Sequence, residues 1–293
     1  MPELFARMGE SFARNPATGF QSFLEDLSDF EGPALANVML TPAEERRAGE
    51  RARAEYLARA DKSGFHIAND PKKLQYLRDL VETIAPHMRN RARYPKIEVT
   101  LIDAPVSDGQ SFPGGYLVFT TALLNEPDEA TVIGVVAHEL AHLDRGHMYE
   151  YARRGKLAET TFAQGPGPGF VMGGQFDQFF TRGLALFSLM MNPFRPEQEL
   201  EADCTATTWM YQEGYDPRAL VGFFERLHRR LNDQPADPFF SFWRTHPYSL
   251  DRRREVLDRE AQLARWRPRN DLGLFPDNLK RLEAHKQERA EAK

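Results

Sequence analysis

A chain of 293 residues, 41% hydrophobic and 28% charged, can bury a sizeable core and has the balance of an ordinary soluble globular protein. Its net charge of −5 gives no electrostatic footing for nucleic acid or for an anionic membrane surface. The single cysteine, Cys204, excludes an internal disulfide and a cysteine-rich zinc knuckle, and it reads as a small buried thiol.

Met1 to Gly9 mixes Pro, Glu and Arg and lacks the apolar segment of a secretory signal. Residues 1–40 scatter Phe and Leu between Gly and Pro, the pattern of an irregular arm with short helices. Thr41-Pro42-Ala43-Glu44 is a helix start: Thr caps, Pro fits the first turn and Glu reaches back. That helix should run to about Ala60. With it, residues 1–69 read as an N-terminal helical arm.

Asp70-Pro71 opens the next helix, in which Leu74, Leu77, Leu80, Val81 and Ile84 recur at helical spacing. The period then changes. Lys96–Ile102 alternates as a strand, and Tyr116–Thr121 reads as a second strand after the Pro113-Gly114-Gly115 turn. Pro127-Asp128-Glu129 begins a long apolar helix. Residues 155–175, centred on Gly165-Pro166-Gly167-Pro168-Gly169, are the least ordered-looking stretch. Gly183–Met191 is apolar but too short to span a bilayer, so no integral membrane segment is expected. Further helices are expected at 196–213, 217–232 and 249–266, ahead of a charged C-terminal tail over 267–293. Residues 70–266 read as the main domain. The overall class is α+β, mainly α.

The informative pentapeptide is His138-Glu139-Leu140-Ala141-His142. On a helix, positions four apart differ by about 40°, so both imidazoles leave one face about 6 Å apart along the axis. That suits two ligands of a tetrahedral zinc, with Glu139 placed to reach metal-bound water rather than the metal. A catalytic zinc needs a third protein ligand. His147 would lie about 180° around a continuous helix from His138, and reads as structural. The run Glu197-Gln198-Glu199-Leu200-Glu201-Ala202-Asp203 offers carboxylates instead. Glu199 and Asp203 share a face, so one can bind zinc while the other accepts a ligand histidine's Nδ1–H. Glu201 points about 160° away from Glu199.

These residues resemble the HtpX-like, BepA-like and Ste-type zinc peptidases of the gluzincin group, over roughly residues 70–260. The resemblance rests on Phe112-Pro113-Gly114-Gly115-Tyr116, the His138–His142 motif, Glu199-Leu200-Glu201-Ala202-Asp203, Gly214-Tyr215-Asp216-Pro217 and Thr245-His246-Pro247 with Arg252. It implies a gluzincin-type fold whose small sheet packs on the active-site helix. It also implies one Zn2+ per chain, with Glu199 as the ligand and Asp203 as the partner behind the ligands. The lack of transmembrane helices favours the soluble BepA-like branch. In one departure, Asp108-Gly109-Gln110-Ser111 stands where the family has Asn-Ala-Phe-Ala beside the substrate cleft.

His246 has three readings: contact with the oxyanion, occupation of the open zinc position, or packing. Arg252 either stabilises the oxyanion or pairs with a carboxylate, and Tyr248 is a weaker candidate. Catalytic roles are thus expected for Glu139, His246 and Arg252. The expected reaction is peptide-bond hydrolysis in unfolded or extended polypeptide, the substrate adding to an edge strand near Tyr116–Thr121, in a role of protein quality control. The rival reading is a zinc-stabilised chaperone or binding module. By resemblance the bacterial cell envelope is the expected location; a chain complete as written would be cytoplasmic.

Overall fold

Thr41 caps the first helix as its chemistry requires: its Oγ1 accepts from the Glu44 amide at 3.2 Å, and Glu44 Oε2 accepts from the Thr41 amide at 2.8 Å. This helix, α1, spans Pro42–Lys62 in the computed structural model, which describes residues 35–164, 194–233 and 250–276. Asp70 caps α2 (Pro71–Ile84) through the amides of Lys72 and Lys73, and the helix stops before Pro86. Its apolar stripe of Leu77, Leu80, Val81 and Ile84 is buried.

Three strands follow: β1 (Glu98–Ile102), β2 (Gly109–Phe112) and β3 (Tyr116–Thr120). The sheet order is β1-β3-β2, with β1 parallel and β2 antiparallel to β3. Two expectations change here. Gly109–Phe112 is a strand, although its Gly, Gln and Ser carry little β-propensity. The strand beginning at Tyr116 lies at the sheet's centre, so the edge near the site is β2 rather than β3.

Helix α3 (Glu129–Asp144) carries the histidine pair and is buried along its whole length. A helix apolar on every side belongs at the centre of a fold, and this one is enclosed by β2, α2, α5 (Pro196–Glu213) and α6 (Arg218–Asp233). Helix α7 (Leu250–Trp266) lies along α5. Asp128 accepts from the Thr131 amide at 2.7 Å, while the carbonyls of Phe275 and Leu274 take the Glu129 and Ala130 amides. Leu274 and Phe275 therefore dock on the start of α3, and Arg269 and Gly273 on the end of α5 and the turn after it, where a tail was expected; the rest of the expected tail lies outside the described residues.

The helix expected to continue past Asp144 breaks at Gly146, whose φ of +79° is left-handed, and α4 (His147–Gln164) starts on a new axis. Residues 155–164, expected to be irregular, are helical; the Gly-Pro repeat from 165 lies outside the described residues.

Helix α1 joins the same core as the later elements, through Ala48, Ala52, Tyr56 and Ala60. Gly49 makes this approach feasible, because a Cβ there would lie 1.7 Å from the Pro113 carbonyl oxygen. Glu45, fully buried, ties the contact down: it accepts from the Tyr94 hydroxyl at 3.0 Å, the Gly114 amide at 3.2 Å and Arg93 Nε at 2.6 Å.

Candidate metal centre

The four-residue spacing on α3 brings His138 and His142 to the same side, with their Nε2 atoms 3.1 Å apart. Helix α5 crosses them and sets Glu199 opposite, Oε1 at 3.3 Å from His142 Nε2 and Oε2 at 3.6 Å from His138 Nε2. Two donors 2.0–2.1 Å from a tetrahedral zinc would stand ~3.3 Å apart, so this triangle has the size of three zinc ligands. Among the described residues these three form the one group able to hold a metal ion. All three are buried.

The two carboxylates of α5 stand in different places, Glu199 in the donor group and Asp203 outside it. Asp203 Oδ1 lies 2.9 Å from His138 Nδ1, behind the ring, where it fixes the ring so that Nε2 faces Glu199. Burial disfavours a charge on His138, yet hydrogen bonding to Asp203 and Glu199 outweighs it and raises the ring to about 9.

Arg252, brought in by α7, takes the carboxylate-pairing role of the two expected for it. Its Nε and one terminal nitrogen hold Asp203 at 2.6 and 2.8 Å, and the other terminal nitrogen lies 2.7 Å from Glu199 Oε2. The guanidinium also lies over the Phe224 ring, 4.1 Å from its centroid. It is 1% exposed, and its nitrogens are engaged with carboxylates.

Glu139 is buried on α3 but belongs to a different wall. Its Oε2 accepts from the Ser111 amide of β2 at 2.7 Å, which orients the carboxylate beside the metal group without joining it. Near it lies buried Asp108, whose carboxyl burial pushes up to about 8, with the charge of Glu139 adding to the rise. Tyr56 of α1 packs edge-on against Phe112, and burial raises its phenol, followed by the charges of Asp108 and Glu139.

On the other side, His142 stacks on Phe194 with centroids 3.9 Å apart. Tyr151 meets the same Phe194 edge-on. Because α3 breaks at Gly146, His147 returns to His142: their Nδ1 atoms are 2.9 Å apart. The continuous-helix argument for His147 therefore falls, although the residue still stands outside the metal group. Burial lowers its ring below the ordinary histidine value. His246 and Tyr248 lie outside the described residues.

Residues 71–260 match peptidase family M48. The chain belongs to that family. M48 members are metal-dependent peptidases, and His138, His142 and Glu199 are a group of this chain that could hold a metal ion. It is 26% identical over 223 residues to the "Beta-barrel assembly-enhancing protease" of Escherichia coli, across 71% of this chain and 43% of that protein. It is also 28% identical over 154 residues to the "Mitochondrial metalloendopeptidase OMA1" of Arabidopsis thaliana, across 51% of this chain and 29% of that protein. The chain thus matches less than half the length of either relative. No described helix is long and apolar enough to cross a membrane.

Sequence reasoning missed Phe194, Phe224, the Ser111 amide and the contact made by His147. Gly146 was the available signal for the last of these, since glycine after a helical run marks a stop. Asp108 drew attention only as a departure from the family pattern.

Proposed function

We propose that the chain is a zinc endopeptidase acting on extended stretches of unfolded or flexible polypeptide, with one zinc held by His138, His142 and Glu199. The observation that carries this reading is the separation of roles around one buried point: three donors at zinc-ligand spacing, and a separate carboxylate, Glu139, held apart by the Ser111 amide. Charge supports it too. Glu139, Glu199 and Asp203 are buried carboxylates, of which Arg252 pairs with the last two, and a divalent cation would offset further negative charge gathered there.

Zinc bound there would supply Lewis acidity, activating water and polarising the scissile carbonyl. Glu139 takes the proton from the attacking water and passes it to the leaving amine, so the carboxylate is regenerated each turn. The Ser111 amide holds one carboxylate oxygen and limits the rotamers available to the other. Asp203 and Arg252 act through the ligands: Asp203 orients His138, and Arg252 holds Asp203 and Glu199 together. Arg252 is accordingly a positioning residue rather than an oxyanion donor.

An extended substrate suits β2. Thr120 donates to the Asp108 carbonyl, so by alternation the backbone of Gly109 and Ser111 faces away from β3; their amides already donate to Asp108 Oδ1 and Glu139 Oε2, which leaves the outward carbonyls for a substrate strand. Strand addition reads main chain, which favours segments without stable structure. The names of the two relatives, a protease of β-barrel assembly and a mitochondrial endopeptidase, are compatible with protein quality control, which we propose as the role.

The test is degradation of fluorescent unfolded casein by the zinc-loaded wild type and Glu139→Gln. The variant should keep zinc and lose turnover by roughly 10²–10⁴-fold. Equal turnover in both would sink the mechanism. Zinc binding without turnover in either protein would favour the binding-module reading.

A further inference from the structure

The two metal-facing histidines are held by different chemistry. His138 leans on a carboxylate, Asp203, at 2.9 Å. His142 leans on a second histidine. We propose that His147, backed by Glu201, is the positioning residue that fixes the tautomer and orientation of His142 for the metal; this rests on the zinc reading above.

The backbone makes this contact possible. On one continuous helix, residues 142 and 147 would lie about 140° apart and their rings would diverge. The left-handed turn at Gly146 ends α3 and starts α4 at His147, which swings that ring back over His142, centroids 5.0 Å apart. A Cβ at Gly146 would meet nothing within 4 Å, so glycine is needed there for its conformation and not for space.

Proton accounting follows from the distances. His142 Nε2 faces His138 Nε2 at 3.1 Å and Glu199 Oε1 at 3.3 Å, which assigns that nitrogen to the metal. Its Nδ1 then carries the hydrogen. Two ring nitrogens 2.9 Å apart must be one donor and one acceptor, so His147 Nδ1 accepts and its hydrogen sits on Nε2. That Nε2 lies 3.3 Å from Glu201 Oε2. Glu201 Oε1 is in turn 3.2 Å from Arg145 Nη1. The row from metal to surface is therefore His142, His147, Glu201, Arg145; the two histidine hydrogens point outward to Glu201, which accepts from Arg145 on its other side. Glu201, which the helical wheel turned away from the metal, is the residue able to close this row because it lies on α5 beside Glu199.

The experiment measures zinc affinity of the full chain by competition with a chelating dye, alongside the thermal stability of the metal-free protein. His147→Phe fills the space but offers no acceptor; His147→Asn places an amide oxygen near the position of Nδ1. His147→Phe should weaken zinc by roughly 10–100-fold, and His147→Asn should recover most of the loss. Glu201→Ala, at a half-exposed position that leaves the core untouched, should weaken zinc severalfold. Affinity like the wild type's in His147→Phe overturns the proposal. So does equal weakening by Phe and Asn, which would mark simple packing. If His147→Phe does not fold, Glu201→Ala and His147→Asn carry the test, and unchanged zinc affinity in Glu201→Ala together with a 10-fold or larger loss in His147→Asn overturns the proposal. A wild type that binds no zinc would instead sink the metal reading itself.

Discussion

His138 and His142 stand one turn apart on the same helix, yet their surroundings differ in kind. Behind His138 lies a dense charged clamp, Asp203 and Arg252, drawn from α5 and α7 and cut off from water. Behind His142 lies a cradle of Phe194, Tyr151 and His147, backed by the half-exposed carboxylate of Glu201. The contrast teaches that one metal centre can be oriented by two economies of charge. Buried ions give firm direction but leave a severe penalty when one partner is removed. Aromatic packing and neutral hydrogen bonds cost less desolvation and fail more gently.

The largest effect should come from the charged side. Arg252→Ala leaves Asp203 and Glu199 buried without their cation, and should destabilise the metal-free chain by roughly 3–5 kcal/mol in urea denaturation. Zinc should restore part of that, since it offsets the charge on Glu199. A loss under ~1 kcal/mol, the scale of a surface pair, would erase the contrast between the two sides. Phe194→Leu probes the aromatic side. Loss of the stack on His142 should cost about 1 kcal/mol and change zinc affinity little. Equal damage from the two substitutions would show that packing, not charge, governs both histidines.

The smallest effect on zinc belongs to Asp108→Asn, because Asp108 lies outside the donor set. Its signature is in pH. Unfolded, an aspartate titrates near 3.9; in the fold, burial raises Asp108 to about 8. Between those values the native state holds the extra proton, so wild-type stability falls as pH rises from about 4 to about 8. Asparagine removes that slope. The variant should match the wild type near pH 4, gain on it through the window, and keep a constant lead above about 8. Denaturation curves at several pH values read this directly, and parallel pH profiles would show that Asp108 is not held neutral.

Much of the site was legible because its chemistry is local. Four-residue spacing places His138 beside His142, and the same spacing places Glu199 beside Asp203, whatever surrounds the helices. Capping by Thr41 and Asp70 was legible for the same reason. The strand at Gly109–Phe112 was not, because its residues have weak β-propensity and pairing with β3 stabilises it from outside. The place of β3 at the centre of the sheet likewise depends on which strands pair, and alternation within a strand carries no sign of that.

Sequence alone determined the types of the candidate donors, their spacing and the glutamate next to the first histidine, since helical geometry converts those intervals into a shared face. Tertiary structure decided which carboxylate of α5 meets the metal face, that Arg252 clamps Asp203 and Glu199, and that His147 returns to His142. Those outcomes depend on how α5 and α7 cross α3 and on one left-handed glycine, and such relations between separate axes have no counterpart in spacing along the chain.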